Sequence, residues 1–294
     1  MRAAVFVRQE HGLSPGLSDP EGGAGSRPDP LGLLRPVRHD ASLFSGPSPF
    51  ILRGITRYPF IPGHKWSGTI VVIGQEVGGL SGALGEYFSV PATAVIKLPA
   101  TVGLDAAPLI EPATTVLRAL HRTGCSIGDC VAVTGTGTLG LIAIQLPHAA
   151  GTRAGVVGID AESGLLVQSL GAGHARRPGE PESSAYHVVL EFSGVPSSFG
   201  AAMSGGANRR RRHSARAVPA DRSRPGPRQG PACGNLPRRG RIFREGGAAD
   251  SRGVIDPYPL IGSRITLARI EDVYVRLLSA RRDAPRSSST CKVG

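Results

Sequence analysis

The stretch Gly135-Thr136-Gly137-Thr138-Leu139-Gly140 carries glycine at its first, third and sixth places. It follows the short apolar run GDCVAVTG, Gly128 to Gly135, and opens into TLGLIAIQLPHAAG, Thr138 to Gly151. An apolar run between glycines reads as a buried parallel strand. The segment after the loop reads as a helix that closes on a glycine. Gly135 permits the tight turn, Gly137 lets backbone approach a ligand, and Gly140 lets helix and strand pack closely. A helix start offers N–H groups without intrahelical partners and the positive end of the helix dipole. Together Gly135, Gly137, Thr138, Leu139 and Gly140 make a loop suited to a diphosphate. Asp160 closes the next apolar run, AGVVGID, about twenty residues on. Its carboxylate suits the 2′,3′-diol of a ribose and repels a 2′-phosphate, so NAD is expected in preference to NADP. A glycine turn that holds no ligand is the plain alternative.

The surrounding text supplies the elements that such a loop needs. LDAAPLIEPATTVLRALHRTG, Leu104 to Gly124, has helical spacing at Leu109, Val116, Leu117 and Leu120 and ends on glycine. AESGLLVQSLGA is helix-like, and HVVLEFSG, His187 to Gly194, reads as a further buried strand. Strand–helix alternation at this spacing predicts a parallel, doubly wound sheet. Pro147 is a defect in the helix after the loop, where an interior proline costs ~3 kcal/mol or kinks the axis. YFSVPATAVIKLP, Tyr87 to Pro99, reads as strand and loop.

The chain has 294 residues, 40% of them hydrophobic, with 41 Gly and 25 Pro. That is room for two domains, with many loops. No apolar run is long enough to span a bilayer, and Arg8, Glu10 and His11 interrupt any signal-like stretch. A cytoplasmic protein is expected. Cys125, Cys130, Cys233 and Cys291 lack CxxC spacing, as expected of incidental thiols in a reducing compartment. The net charge of +12 is local: the thirteen arginines between Ser204 and Arg252 face only Asp221, Glu245 and Asp250. The run has no lysine and no periodicity, so no nucleic-acid partner is expected of it. Residues 1–12, 41–203 and 253–285 are patterned like a folded protein. Residues 13–40, 204–252 and 286–294 are rich in Arg, Pro, Gly and Ser and are aperiodic.

With YPFIPGHKWSGTI (Tyr58 to Ile70), EYFSVPATAVIKLP, LIEPATTVLRAL, GDCVAVTGTGTLGLIAIQL, VVGID, VVLEFSG and GVIDPYPLIGSRITLARIEDVYVRLL (Gly253 to Leu278), the chain resembles the medium-chain, zinc-dependent alcohol and polyol dehydrogenases. Glu111-Pro112 places it near the sorbitol and threonine dehydrogenase branch. The resemblance implies an α/β fold: an incomplete Rossmann-type doubly wound parallel sheet plus a GroES-like β-rich catalytic domain. It implies a catalytic domain over 1–117, with 13–40 scrambled, and a dinucleotide-binding domain over 118–203. The arginine-rich segment 204–252 and a C-terminal return segment, 253–294, complete the division. The implied reaction is hydride transfer between a secondary alcohol or polyol and NAD. Zinc would act as the Lewis acid, held in part by His64 and Glu111 as catalytic metal ligands. The family also implies a homodimer or homotetramer and no membrane.

Departures from the family are as informative. Its first zinc ligand lies in Cys-Gly-x-Cys-Gly-Thr-Asp, whereas the matching place here is LRPVRHD, ending at Asp40. Leu-Arg-Pro-Val-Arg-His can be written CTG CGG CCT GTG CGG CAC, and read one base later this gives Cys-Gly-Leu-Cys-Gly-Thr. Residues from about 13 to 39 therefore read as translated out of frame, and the same device recovers family text at Gly246–Ser251 and Ser287–Gly294. Lys65 stands where the family has Glu, and VGGLSGALGEYFSV omits the Gly-Asp-Arg-Val strand and the four-cysteine structural lobe. The expected first zinc ligand is missing, so impaired activity is expected. The competing readings are a non-catalytic dinucleotide-binding remnant and a basic nucleic-acid-binding protein.

Overall fold

A computed structural model of the chain describes residues 3–8, 11–14, 32–34, 38–46, 48–71, 73, 82–158, 163–177, 186–195, 253–279 and 289–293. The strands are β1 (Ala3–Arg8), β2 (His11–Ser14), β3 (Gly32–Leu34), β4 (Trp66–Ser67), β5 (Cys130–Thr134), β6 (Arg153–Val157), β7 (Ala172–Arg176), β8 (Val188–Glu191), β9 (Ser263–Thr266) and β10 (Ser289–Val293). The helices are α1 (Arg38–Phe44), α2 (Pro49–Leu52), α3 (Ile110–Thr123), α4 (Thr138–Ala149), α5 (Ser163–Ser169) and α6 (Ile270–Ser279). The chain divides into two compact units, one formed by Met1–Leu109 with Ile261–Gly294 and the other by Ile110–Leu260. Among the described residues no helix is long and apolar enough to cross a membrane.

In the second unit the sheet order is β7-β6-β5-β8, and every pair is parallel. Every residue of β8 is buried, as are four of the five in β5. That burial is why these strands read as unbroken apolar runs. Helix α3 buries Ile110, Pro112, Ala113, Val116 and Ala119, and Gly124 follows it at φ 67°. This left-handed glycine is the ordinary way to end a helix. Of the residues expected on the packed face, Leu109 and Val116 are buried and Leu117 and Leu120 are half-buried.

One local defect is accommodated, and one strand lies beyond what the sequence pattern shows. Helix α4 runs through Pro147 to Ala149. The proline sits in the last turn, where its missing N–H leaves only the Ala143 carbonyl upstream without its usual donor, and the Thr152 N–H closes onto the Pro147 carbonyl at 2.9 Å. It therefore ends the helix instead of breaking it. Strand β7 was not legible: AGHAR is polar and only its first residue is buried. It forms because β6 offers a parallel edge and Gly171, at φ 99°, turns the chain into register.

The first unit builds a sheet of order β4-β3-β10-β9, with β10 antiparallel to β3 and parallel to β9. Both β10 and β3 lie in segments whose composition reads as aperiodic. Ser-Thr-Cys-Lys-Val has β-branched residues and no proline, and a neighbouring edge suffices to order it. Helices α1 and α6 share the core with Leu84, and Phe44 stacks on Tyr274 at 5.7 Å between ring centroids. Tyr87–Pro99 does not form the expected strand. It holds a single 3-10 turn, Ala92–Ala94, after Pro91, whose ring removes a ladder donor. Phe88 instead packs edge-on against Trp66 at 4.7 Å. Ile70 and Ile73 stand 64% and 87% exposed.

A buried amide ties α4 to the return segment within the second unit. Gln145 Oε1 accepts the Asp256 N–H at 2.5 Å, and Nε2 donates to the Asp256 carbonyl at 3.3 Å. Gln145 is buried, so its loss leaves two backbone groups to seek water. Gln145→Leu is expected to lower unfolding stability by about 1–3 kcal/mol, read as a denaturant midpoint shift at constant slope.

Candidate functional site

Strand β5 delivers its chain to Gly135 at φ 94°, and α4 begins three residues later at Thr138. A Cβ on Gly140 would lie 1.9 Å from the Gly135 carbonyl oxygen. Helix and turn therefore touch backbone to backbone, and only glycine fits. Gly137 caps the helix in an extended conformation, φ −76° and ψ −177°, and has no side chain to occupy the first turn. Its carbonyl accepts the Leu141 N–H at 2.9 Å, which starts the helical ladder. Gly158, just past β6, comes so close to the loop that a Cβ there would meet Thr136 Cγ2 at 2.6 Å. Asp160 lies outside the described residues.

Topology gives this turn a further meaning. The chain winds from β5 through β6 to β7 on one side, then returns to place β8 on the other flank of β5. The crevice where winding reverses, beyond the carboxyl ends of β5 and β8, is where open α/β sheets bind ligands. Gly135 lies at that point. The Gly135 face is also approached from β8, since a Cβ on it would lie 2.7 Å from the Ser193 nitrogen. Glu191, the last residue of β8, is only 3% exposed; its Oε1 accepts the Ser193 N–H at 2.8 Å. The residues present fit a dinucleotide diphosphate: a turn closed to any side chain, a helix start with no side-chain cap, and a position at the reversal of the sheet.

His64 and Asp40 are brought together in the first unit. His64 Nδ1 lies 3.2 Å from Asp40 Oδ1, with the Asp40 side chain 1% exposed and the His64 side chain 42% exposed. Contact of an imidazole nitrogen with a buried carboxylate fixes the orientation of the ring, as it does for many metal-binding histidines. Glu111 lies in the first turn of α3, in the other unit. Among the described residues no three His, Cys, Asp or Glu side chains group to hold a metal. Strand β3 pairs Leu34 with Trp66, two residues from His64. Leu34 is where the first cysteine of the family motif would fall.

Sequence reading missed Asp40, Glu191 and Ser193. The aspartate was quoted only as the end of a disturbed motif, although it closes that motif in the family as well. Nothing local marks Glu191; one acid in the apolar run VVLEFSG was the only signal. The cysteines behave as expected where described. Cys125 and Cys130 are free and half-buried, and burial, helped by the Asp129 charge, pushes the Cys125 thiol above its usual range.

No family model matches the chain. It is 26% identical over 190 residues to the L-threonine 3-dehydrogenase of Pseudoalteromonas atlantica, covering 48% of this chain and 56% of that one. It is 31% identical over 156 residues to an alcohol dehydrogenase of Geobacillus stearothermophilus, covering 40% and 46%. The matched part spans about half the length of these curated relatives. In fold, the chain is similar to an alcohol dehydrogenase of Escherichia coli CFT073 solved with NADH, at a TM-score of 0.73 and 17% identity. That match covers 100% of this chain and 98% of the other.

Gly140→Ala is expected to cost at least about 2 kcal/mol, because backbone must move to admit the methyl. Gly164→Ala, whose Cβ would meet nothing within 4 Å, is the control and is expected to be neutral or slightly stabilising. Thermal midpoints of the two variants measure the difference.

Proposed function

We propose that this chain, similar over about half its length to a threonine dehydrogenase and an alcohol dehydrogenase, belongs to the medium-chain alcohol and polyol dehydrogenases, binds NAD at Gly135–Gly140 and descends from an enzyme that oxidised a secondary alcohol or polyol. The observation that carries the reading is the glycine turn at the reversal of the sheet. Backbone N–H groups at the start of α4 would hold the diphosphate, aided by the helix dipole. Gly137 would let the phosphates reach the backbone, and Thr138 and Leu139 would bring the first-turn amides toward them. Asp160 would accept the ribose hydroxyls and disfavour a 2′-phosphate. Bound nicotinamide supplies the hydride acceptor for the alcohol carbon. On this reading His64 is a metal ligand held ready by Asp40, and its partner cysteine has been lost with the reading frame before Asp40. Turnover in the chain as it stands is accordingly impaired, and cofactor binding outlasts it.

Fluorescence titration of the full chain is expected to show NADH binding, with NADPH weaker by about tenfold or more because its extra phosphate meets Asp160. Asp160→Ala narrows that gap. A chain that binds neither cofactor would falsify the reading.

Metal content tests the other half. The chain should hold little zinc. Replacing Leu34–His39 by Cys-Gly-Leu-Cys-Gly-Thr is expected to raise it toward one ion per chain. Adding Asp40→Ala to that restored chain should weaken zinc about 10- to 100-fold, since the carboxylate orients the histidine. Zinc affinity is read by competition with a chromophoric chelator.

A further inference from the structure

Glu191 is a buried carboxylate with no cation among its contacts in the described residues. Its Oε1 takes the Ser193 N–H at 2.8 Å, the Ser193 hydroxyl, and the Thr134 hydroxyl at 3.4 Å. Thr134 is its register partner and the last residue of β5. Ser193 Oγ in turn accepts the Val195 N–H at 3.1 Å. One carboxylate oxygen thus organises the whole exit from β8. That exit is the segment pressed against Gly135: beyond the Ser193 nitrogen, a Cβ there would also meet the Phe192 carbonyl carbon at 3.0 Å. Phe192 N–H is itself bonded to the Thr134 carbonyl at 2.9 Å. The two strand ends flanking the reversal point are therefore tied through Thr134 and Glu191.

Burying an anion that only neutral donors compensate is costly. For packing alone, an apolar residue would serve better in a strand whose other residues are all Val and Leu. What the carboxylate achieves is convergence: charge-assisted bonds from two residues to a single point. We infer that Glu191 is a positioning residue for the dinucleotide, holding the Phe192–Val195 turn against Gly135 so that the diphosphate loop keeps its shape; this rests on the NAD-binding reading above. It touches neither the cofactor nor a substrate in this account. Its action passes through Ser193 and Thr134.

The test uses NADH fluorescence titration of the full-length chain. Glu191→Ala is expected to weaken NADH at least tenfold, and Ser193→Ala, which spares the backbone donor, about threefold. Glu191→Gln keeps an acceptor oxygen and should restore affinity to within about threefold of the unsubstituted chain. Val189→Ala, in the same strand but away from the turn, serves as the stability control. It is buried, so it should lower the thermal midpoint while leaving NADH affinity unchanged in the folded protein. If Glu191→Ala binds NADH as the unsubstituted chain does, or if Val189→Ala weakens binding as much, the positioning role is overturned and the cofactor reading stands. Failure of Glu191→Gln to rescue also overturns it. If the unsubstituted chain binds no NADH, both fall together. Should Glu191→Ala not fold, the Ser193→Ala and Glu191→Gln pair decides the matter by the same ratios.

Discussion

At residue 140 there is no room for a methyl group, and much of the second unit follows from that. The Gly135 carbonyl oxygen occupies the place where a Cβ would go, at 1.9 Å. This contact fixes where α4 starts relative to where β5 stops. It also fixes the direction of the helix dipole, because a helix that starts on the end of a strand aims its amino terminus into the crevice above the sheet. Two further segments close on the same few atoms: Gly158 against Thr136 and Ser193 against Gly135. Three strand ends are thus brought to one turn, two of them by backbone contact and the third, at Gly158, against the Thr136 side chain. Packing of this kind resists substitution because backbone cannot be repacked as a flexible side chain can.

The first unit shows a different dependence. Its histidine is held by a buried aspartate, which is how a metal ligand is presented. A presented ligand is not a site, however. A metal needs several donors converging on one point, and among the described residues no third donor joins. The register of β3 on β4 sets Leu34 opposite Trp66, close in sequence to His64.

Legibility followed the range of the determining interaction. The glycine loop, β5, α4, β6 and β8 were readable because their signals are local: spacing of glycines, apolar runs, helix stops. Helix α3 was readable from its period, and Gly124 marked its end. Strand β7 was missed because its residues are polar and only its neighbour β6 makes it a strand. Strand β10 was missed for a similar reason, since Ser289–Val293 sits in text that looks random until β9 and β3 flank it. The Tyr87–Pro99 strand was expected from β-branched residues, yet propensity without a partner strand does not make a ladder. Asp40–His64, Gln145–Asp256 and Glu191–Ser193 escaped for another reason. Each depends on where one side chain lands in space, and the first two join residues 24 and 111 positions apart. Glu191 and Ser193 are neighbours, but what gives their bond meaning is Gly135 across the sheet.

The same ranges bear on how the two proposed sites would respond to change in the sequence. A diphosphate loop is specified by one contiguous strand–turn–helix, and the sheet that supports it needs only the stretch from β5 to β8. An insertion or deletion outside that stretch leaves it whole. A metal site of the kind the family resemblance implies would instead need donors from separated segments, and damage to any one would remove a donor. Loop closure makes each such long-range assembly entropically dearer as well. A site assembled from distant segments is therefore more easily lost to local change than a turn specified by one contiguous stretch.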